Sequence, residues 1–440
     1  MRSHRPRTEP HRRAILLAVR PGGVPDEEVQ RSLDELGQLL EGLGIPVETS
    51  FVQRRSEPVR ATYVGEGKLG EIAERTGGPG VVPKPTEPDP PLREDLVVVV
   101  DDELGPGQRR NLQRALGVEV LDRVEVILRV FESRARTREA KLEIELARLE
   151  YELPRVRDDH SLGDREGGGG RASRGHSNVE LAKQRIRNRM AQIRRELERI
   201  RETRDRSRIA RSGHFRAALV GYTNAGKSSL MRLLTGKEIY VRDMLFATLG
   251  TTVRQLAPPT QPPVLLTDTV GFIDRLPHQL VASFRSTLAE AKEASLLLHV
   301  VDVSHPSFRA HIRTTNEVLA EIGADAIPAV LVLNKADKLD DAERAEVQQE
   351  FPEALLVSAL DPRDGKRLHE LLCSRMAAAL EEAVFTVPYA QRRLLAEFED
   401  RIGIVHEDYG AAITVRVRGT PESLEMLRSR LAAAGYTAAP

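Results

Sequence analysis

Apolar residues recur along this chain with three different periods, and each period predicts a different kind of element. Short continuous apolar runs, the mark of strands buried in a parallel sheet, occur at "RAILLAV" (Arg13–Val19) and "EDLVVVVDDE" (Glu94–Glu103), with "PVETSFVQ" as a third strand candidate. Helical spacing fills Asp26–Leu43 and Gly107–Leu116. This alternation predicts a small α/β domain over residues 1–120. "GGPGVVPKPTEPDPPLRE" (Gly77–Glu94) interrupts it, too rich in proline and glycine for anything but a loop. The texture then changes. Leu142, Leu146, Leu149 and Leu153 step by 4, 3 and 4, a heptad-like spacing that Pro154 ends. After the glycine-rich "RDDHSLGDREGGGGRASRGHSN", the same spacing returns at Ile186, Met190, Ile193, Leu197 and Ile200. Two such helices predict an antiparallel coiled-coil hairpin with a flexible tip over residues 121–212. From Phe215 the pattern becomes strand–loop–helix, with strands at "FRAALV", Val264–Leu266, Leu296–Val301, Ala329–Leu333 and Leu355–Val357. That is a doubly wound, mostly parallel sheet over residues 213–382. The tail, 383–440, carries "EAVFTVP", a helix "AQRRLLAEFEDRI", "AAITVRVRG" and a helix "PESLEMLRSRLAAAG", enough for a small α/β appendage. The expected fold class is therefore α/β and multidomain.

Composition narrows this only a little. A chain of 440 residues holds about three domains. Lys+Arg and Asp+Glu are both 66, so any charged partner must be read from local clusters. The strongest cluster lies on the second heptad helix, where Arg185, Arg187, Arg194, Arg195, Arg199 and Arg201 take outer positions. Two readings stay open: a solvated face with i,i+4 pairs, or contact with a polyanion. The single Cys373 excludes an internal disulfide or a cysteine zinc cluster, and its helical apolar position predicts a buried structural thiol. The basic N-terminus is followed by "AILLAV", too short for a signal peptide, and no window approaches the ~20 apolar residues that span a bilayer. The expectation is a cytoplasmic chain with no membrane partner.

Chemistry concentrates in the third segment. "GYTNAGKSS" (Gly221–Ser229) fits G-x-x-x-x-G-K-[ST] between a strand and a helix start, the context that motif requires. Gly221, Tyr222, Thr223, Asn224, Ala225 and Gly226 would wrap backbone amides around a β-phosphate at a helix N-terminus. Lys227 would neutralise β/γ charge, Ser228 would ligate Mg²⁺, and Ser229 would close the turn. "LVLNKADKL" brings Asn334, Lys335, Ala336 and Asp337. The Asp337 carboxylate can accept from both N1–H and the 2-amino group of guanine, which adenine cannot match. Ser358, Ala359 and Leu360 fit the loop that closes over the guanine O6. The expected ligand is GTP or GDP, with Mg²⁺.

The γ-phosphate end is less regular. In "LLTDTVGFID", Asp268 would hold Mg²⁺ through water, Thr269 and Val270 follow it, and the Gly271 amide would meet the γ-phosphate. Where many GTPases place a water-orienting glutamine next, this chain has Phe272. For the switch threonine, "LFATLGTTV" offers Thr248, flanked by Phe246, Ala247, Leu249 and Gly250, with Thr251 and Thr252 as alternatives. Thr248 stands twenty positions beyond Ser228 and is the favoured Mg²⁺ ligand. Lys227, Thr248 and Gly271 are the expected catalytic set.

"GYTNAGKSSL", "LFATL", "LLTDTVGFIDRLPHQLVASFRSTL", "ASLLLHVVDVSHP" and "LVLNKAD" together resemble the HflX family of translation-factor-class GTPases. So do "ATYVGEGKLGEI", "VVVVDDELGPGQRRNL" and "RTREAKLEIELARLEYELPR". The resemblance implies a monomeric GTPase that binds the large ribosomal subunit and rRNA, splits or rescues 70S ribosomes, and hydrolyses GTP faster on them. It also moves the basic helix face towards the polyanion reading. Three features depart from the family pattern. Its R-G-P-G-E-T-Q-L-E is here Arg174-Gly175-His176-Ser177-Asn178-Val179-Glu180-Leu181, its Asp after "FATL" is Gly250, and the Pro-rich insert is unusual. The rival reading is a GTP-gated RNA-binding or assembly factor in which hydrolysis is secondary.

Overall fold

The computed structural model describes residues 12–84, 86–158, 171–211, 213–236, 245–246, 252–273 and 290–433. Two compact units divide the chain, one ending at Leu197 and the other beginning at Glu198.

The first unit is built on a four-stranded parallel sheet, order β2-β1-β3-β4, from β1 (Arg13–Arg20), β2 (Val47–Arg54), β3 (Arg93–Val100) and β4 (Val118–Asp122). The apolar runs are continuous because both faces are covered: Ala14 to Ala18 and Leu96 to Val100 are all buried. Helices α1 (Asp26–Glu41), α2 (Glu66–Thr76) and α3 (Pro106–Leu116) supply the cover, with Leu33, Leu36 and Leu40 of α1 facing inward. Among its described residues the Pro-rich insert contains no helix or strand until β3 begins at Arg93, and the buried Arg114 donates to its carbonyls at Pro83, Lys84 and Glu87.

β4 was not anticipated. "VEVLD" is short and runs directly into α4 (Arg123–Arg134), whose start is set by Asp122 accepting from the Glu125 amide. Helix α5 (Arg138–Glu152) begins at the Thr137 cap, and α6 spans Arg171–Arg211. Met190, Ile193 and Leu197 of α6 are buried, so that stripe is real. Ion pairs Arg138–Glu196, Glu145–Arg189 and Glu150–Arg194 join α5 to α6, and the first two share an antiparallel register that the third does not fit. α5 packs on α4 and is buried on several sides. The tip, 159–170, lies outside the described residues.

The second unit holds a six-stranded sheet, order β10-β9-β8-β5-β7-β6. Its strands are β5 (Phe215–Val220), β6 (Thr252–Gln255), β7 (Val264–Asp268), β8 (Leu296–Asp302), β9 (Ala329–Asn334) and β10 (Leu355–Leu356). All pairs are parallel except the edge strand β6. Helices α7 (Lys227–Thr235), α8 (Phe308–Glu321), α9 (Asp341–Glu350) and α10 (Pro362–Ala379) pack around it. Cys373 packs against this core only partly buried, 3.6 Å from His369 Nδ1, rather than fully inside as the pattern suggested. The tail forms an antiparallel sheet, β11-β13-β12, from β11 (Glu381–Val387), β12 (Ile402–Tyr409) and β13 (Ile413–Gly419). The helix expected over "AQRRLLAEFEDRI" shrinks to α11 (Arg392–Ala396), because the chain turns at residues 397–401 to pair "IGIVHEDY" with β13. Helix α12 (Pro421–Ala433) completes the appendage.

Candidate nucleotide-binding site

Strand β5 is central, and the loop after it, Gly221–Gly226, leads into α7 at Lys227. The glycines are dictated by close approach. Gly221 has φ +143°, and a Cβ there would stand 2.1 Å from the Val300 carbonyl oxygen. A Cβ at Gly226, φ +92°, would stand 2.1 Å from Asn334 Nδ2. Asn224 also takes a left-handed φ of 59°, tolerable for asparagine.

Lys227 is buried and donates to the carbonyls of Gly221 (3.0 Å) and Tyr222 (2.7 Å). Burial pushes its ammonium down to about 8, opposed by the negative charge of Asp268. Ser228 Oγ donates to Asp268 Oδ2 at 2.8 Å. A hydroxyl and a carboxylate this close form the hard-oxygen donor set that Mg²⁺ prefers. Thr269 donates to the Leu219 carbonyl at 2.7 Å, which fixes the strand end carrying Asp268.

The segment after β7 is stitched to the loop. Phe272 N donates to the Gly221 carbonyl (3.1 Å), and Thr223 N donates to the Phe272 carbonyl (2.7 Å). Gly271 is wedged in place: a Cβ there would lie 2.8 Å from Lys227 Nζ and 2.9 Å from Thr223 Cα. Phe272 is only 2% exposed, so its ring is packed inside the protein.

At the other end, Asn334 Nδ2 donates to the Ala225 carbonyl (2.8 Å), and the Ala359 amide donates to Asn334 Oδ1 (3.0 Å). One side chain thus ties three loops together. Lys335 pairs with Asp302 at 2.6 Å, and the Ser358 hydroxyl donates to the Asp337 carboxylate. Asp337, Ser358 and Leu360, together with Ala336, Arg344 and Arg367, line a cleft of about 620 Å³. Leu360 is 75% exposed, an apolar surface left open beside it.

The structure therefore brings together the loop 221–229, Asp268 to Gly271, 334–337 and 358–360. Phe246, beside Leu245, is buried. Ala247, Thr248, Leu249, Gly250 and Thr251 lie outside the described residues, while Thr252 stands in β6 opposite Asp268. Sequence reasoning missed three partners: Asp302 on Lys335, Asp364 accepting from the Ser358 amide (2.8 Å), and His311 stacked on Tyr222. None has a motif spacing that would announce it.

Three family models match: "GTP-binding GTPase N-terminal" over residues 30–132, "GTP-binding GTPase Middle Region" over 134–211, and "50S ribosome-binding GTPase" over 216–335. The chain is 45% identical to GTPase HflX of Gluconacetobacter diazotrophicus, over 96% of this chain and 98% of that protein. It is 36% identical to GTPase HflX of Escherichia coli, over 88% and 89%. A crystal structure of a GTP-binding protein from the archaeon Sulfolobus solfataricus in complex with GDP matches at 25% identity and a TM-score of 0.43, over 83% and 98%.

Proposed function

The chain belongs to the HflX family of GTPases, and from that premise we propose that its GTP hydrolysis is completed by the large ribosomal subunit. The observation that carries this is the place of Phe272: buried, held by its own backbone, and unable to aim a water. The other roles follow from the geometry. Amides of the 221–226 loop and the α7 N-terminus would receive the β-phosphate. Lys227, which donates to two carbonyls and to no carboxylate among the described residues, would gain a phosphate oxygen. The Gly271 amide would sense the γ-phosphate, and Asp337, held by Ser358, would read the guanine edge. Ser228 and, through water, Asp268 would hold Mg²⁺, which when bound offsets the charge that builds between the β- and γ-phosphates. Thr248 is the third proposed ligand.

No side chain among the described residues of this arrangement is placed to orient the attacking water, and a partner would supply that function. A partner that completes a GTPase site is worth about 10⁵-fold in rate. The exposed arginines of α6, Arg185, Arg195 and Arg199, offer a surface for rRNA, and splitting or rescue of ribosomes is the outcome this reading favours. The same arginines support the alternative of a GTP-gated RNA-binding factor. Turnover should be well below 1 s⁻¹ alone and rise steeply with 50S or 70S particles, read as phosphate release; the ~1–100 s⁻¹ typical of self-sufficient phosphoryl-transfer enzymes, with no rise on ribosomes, would refute it. A Lys227→Ala variant that still binds particles but no longer separates them on sucrose gradients favours the splitting enzyme. Loss of binding itself favours the gated module.

A further inference from the structure

Behind the phosphate-binding loop lies a column of rings whose middle member, His311, belongs to none of the family segments quoted above. The Tyr222 phenol and the His311 imidazole stack almost parallel, with centroids 3.8 Å apart and planes at 10°. His305 continues the column at 4.6 Å. His311 comes from the first turn of α8, whose Phe308 and Thr315 are buried. His305 is fixed by accepting the Ser307 amide on Nδ1 at 3.1 Å.

Tyr222 is also the middle residue of the strip that meets the γ-phosphate sensor. Its carbonyl accepts from Lys227, and its neighbours Gly221 and Thr223 carry both hydrogen bonds to Phe272. Gly271, one residue earlier, has no slack against Lys227 and Thr223. A small displacement of the Tyr222 backbone therefore moves the Gly271 amide and the Lys227 ammonium together.

We infer that His311 is a positioning residue for GTP hydrolysis, holding Tyr222 from behind so that Gly271 and Lys227 keep their places around the γ-phosphate. The inference rests on the nucleotide reading of this site. His311 touches no reacting atom, and its effect passes entirely through the Tyr222 ring. It makes the N-terminal turn of α8 a place from which the catalytic geometry is set.

The test compares full-length wild type, His311→Ala and His311→Phe, measuring GTP turnover, GDP affinity with a fluorescent GDP, and thermal unfolding. Loss of one stacked pair corresponds to about a threefold to tenfold fall in rate. The expected result is that fall in kcat for His311→Ala, with KM and GDP affinity within twofold. His311→Phe, which keeps a flat ring, should restore kcat to within twofold at an unchanged unfolding midpoint. Wild-type kcat in His311→Ala would overturn the inference, as would equal losses in both variants or a fall in GDP affinity matching the fall in rate. Wild-type protein that binds no GDP would overturn the site assignment itself, a result separate from all of these.

Discussion

The chain contains two α/β sheets, one parallel and one parallel but for its edge strand β6, each with a reversal of strand order at a central strand, β1 in one and β5 in the other. In such sheets the crevice beyond the carboxyl ends of the strands at that reversal is where ligands bind. The two sheets use it in opposite ways. In the four-stranded sheet the crevice is filled by the protein's own charges. Arg123 is buried between Asp101 (2.6 Å) and Glu35, and Asp122 accepts from the Tyr151 hydroxyl at 2.7 Å and the Glu125 amide at 2.9 Å. In the six-stranded sheet, β5 ends at Val220 and the loop from Gly221 presents main chain instead. Among the described residues its buried cation, Lys227, donates to carbonyls and to no carboxylate. A charge neutralised by a carboxylate is finished, whereas a charge resting on carbonyls still gains from an anionic ligand.

Breaking the ligand side of this contrast should give the largest effect. Asp337→Asn removes the carboxylate proposed to read guanine and should weaken GDP binding about a hundredfold or more in a displacement titration, with no change in the unfolding of the first unit. A binding constant unchanged by this substitution would end the assignment of that cleft.

The self-filled crevice should respond in stability and not in binding. Arg123→Leu leaves Asp101 and Glu35 without their cation and should cost about 3–5 kcal/mol in urea unfolding. GDP affinity should stay within twofold. If affinity fell instead while stability held, the first crevice would be a ligand site as well and the contrast would collapse.

A smaller effect concerns acid. His299, on β8, is buried, and burial followed by the positive charge of Lys227 pushes its imidazole down to about 4. Unfolded, it titrates near 6.5, so as pH falls below that value the unfolded chain takes up a proton that the folded chain refuses. Stability is therefore full above pH 6.5 and declines towards pH 4, by at most about 1.4 kcal/mol per pH unit from this group. His311 adds a second contribution of the same sign: burial, then the positive charge of His305, push it to about 4, against the opposing charge of Asp302. His299→Leu should flatten the fall in urea midpoint between pH 7 and pH 5. A slope identical to wild type would show that this imidazole is not the group responsible.

The nucleotide site was legible because its chemistry needs residue types at fixed spacings along one stretch of chain. Gly221 and Gly226 are forced by close approach to the Val300 carbonyl and the Asn334 side-chain amide, while Lys227 and Asp337 are the residue types that the proposed phosphate and guanine contacts ask for. Apolar runs such as Leu96–Val100 gave away their strands for a similar local reason, burial on both faces. The misses share a different cause. β12 carries Gly403 and exposed polar positions, and it is a strand only because β13 offers it a pairing edge. The heptad spacing of the α5 leucines likewise gave no sign that the helix packs on α4, because spacing cannot say which neighbour a helix takes.

By itself the sequence determined the kind of ligand, the order of the elements around it and the absence of a glutamine after Gly271. Tertiary structure alone decided what Phe272 does with its side chain, how Asn334 joins three loops, and which ring stands behind Tyr222. Those outcomes depend on contacts between residues far apart in the chain, such as Tyr222 with His311 and Asn334 with Ala225. No local pattern of apolar and polar positions carries that information, because the free energy that selects each contact arises only when both partners are already in place.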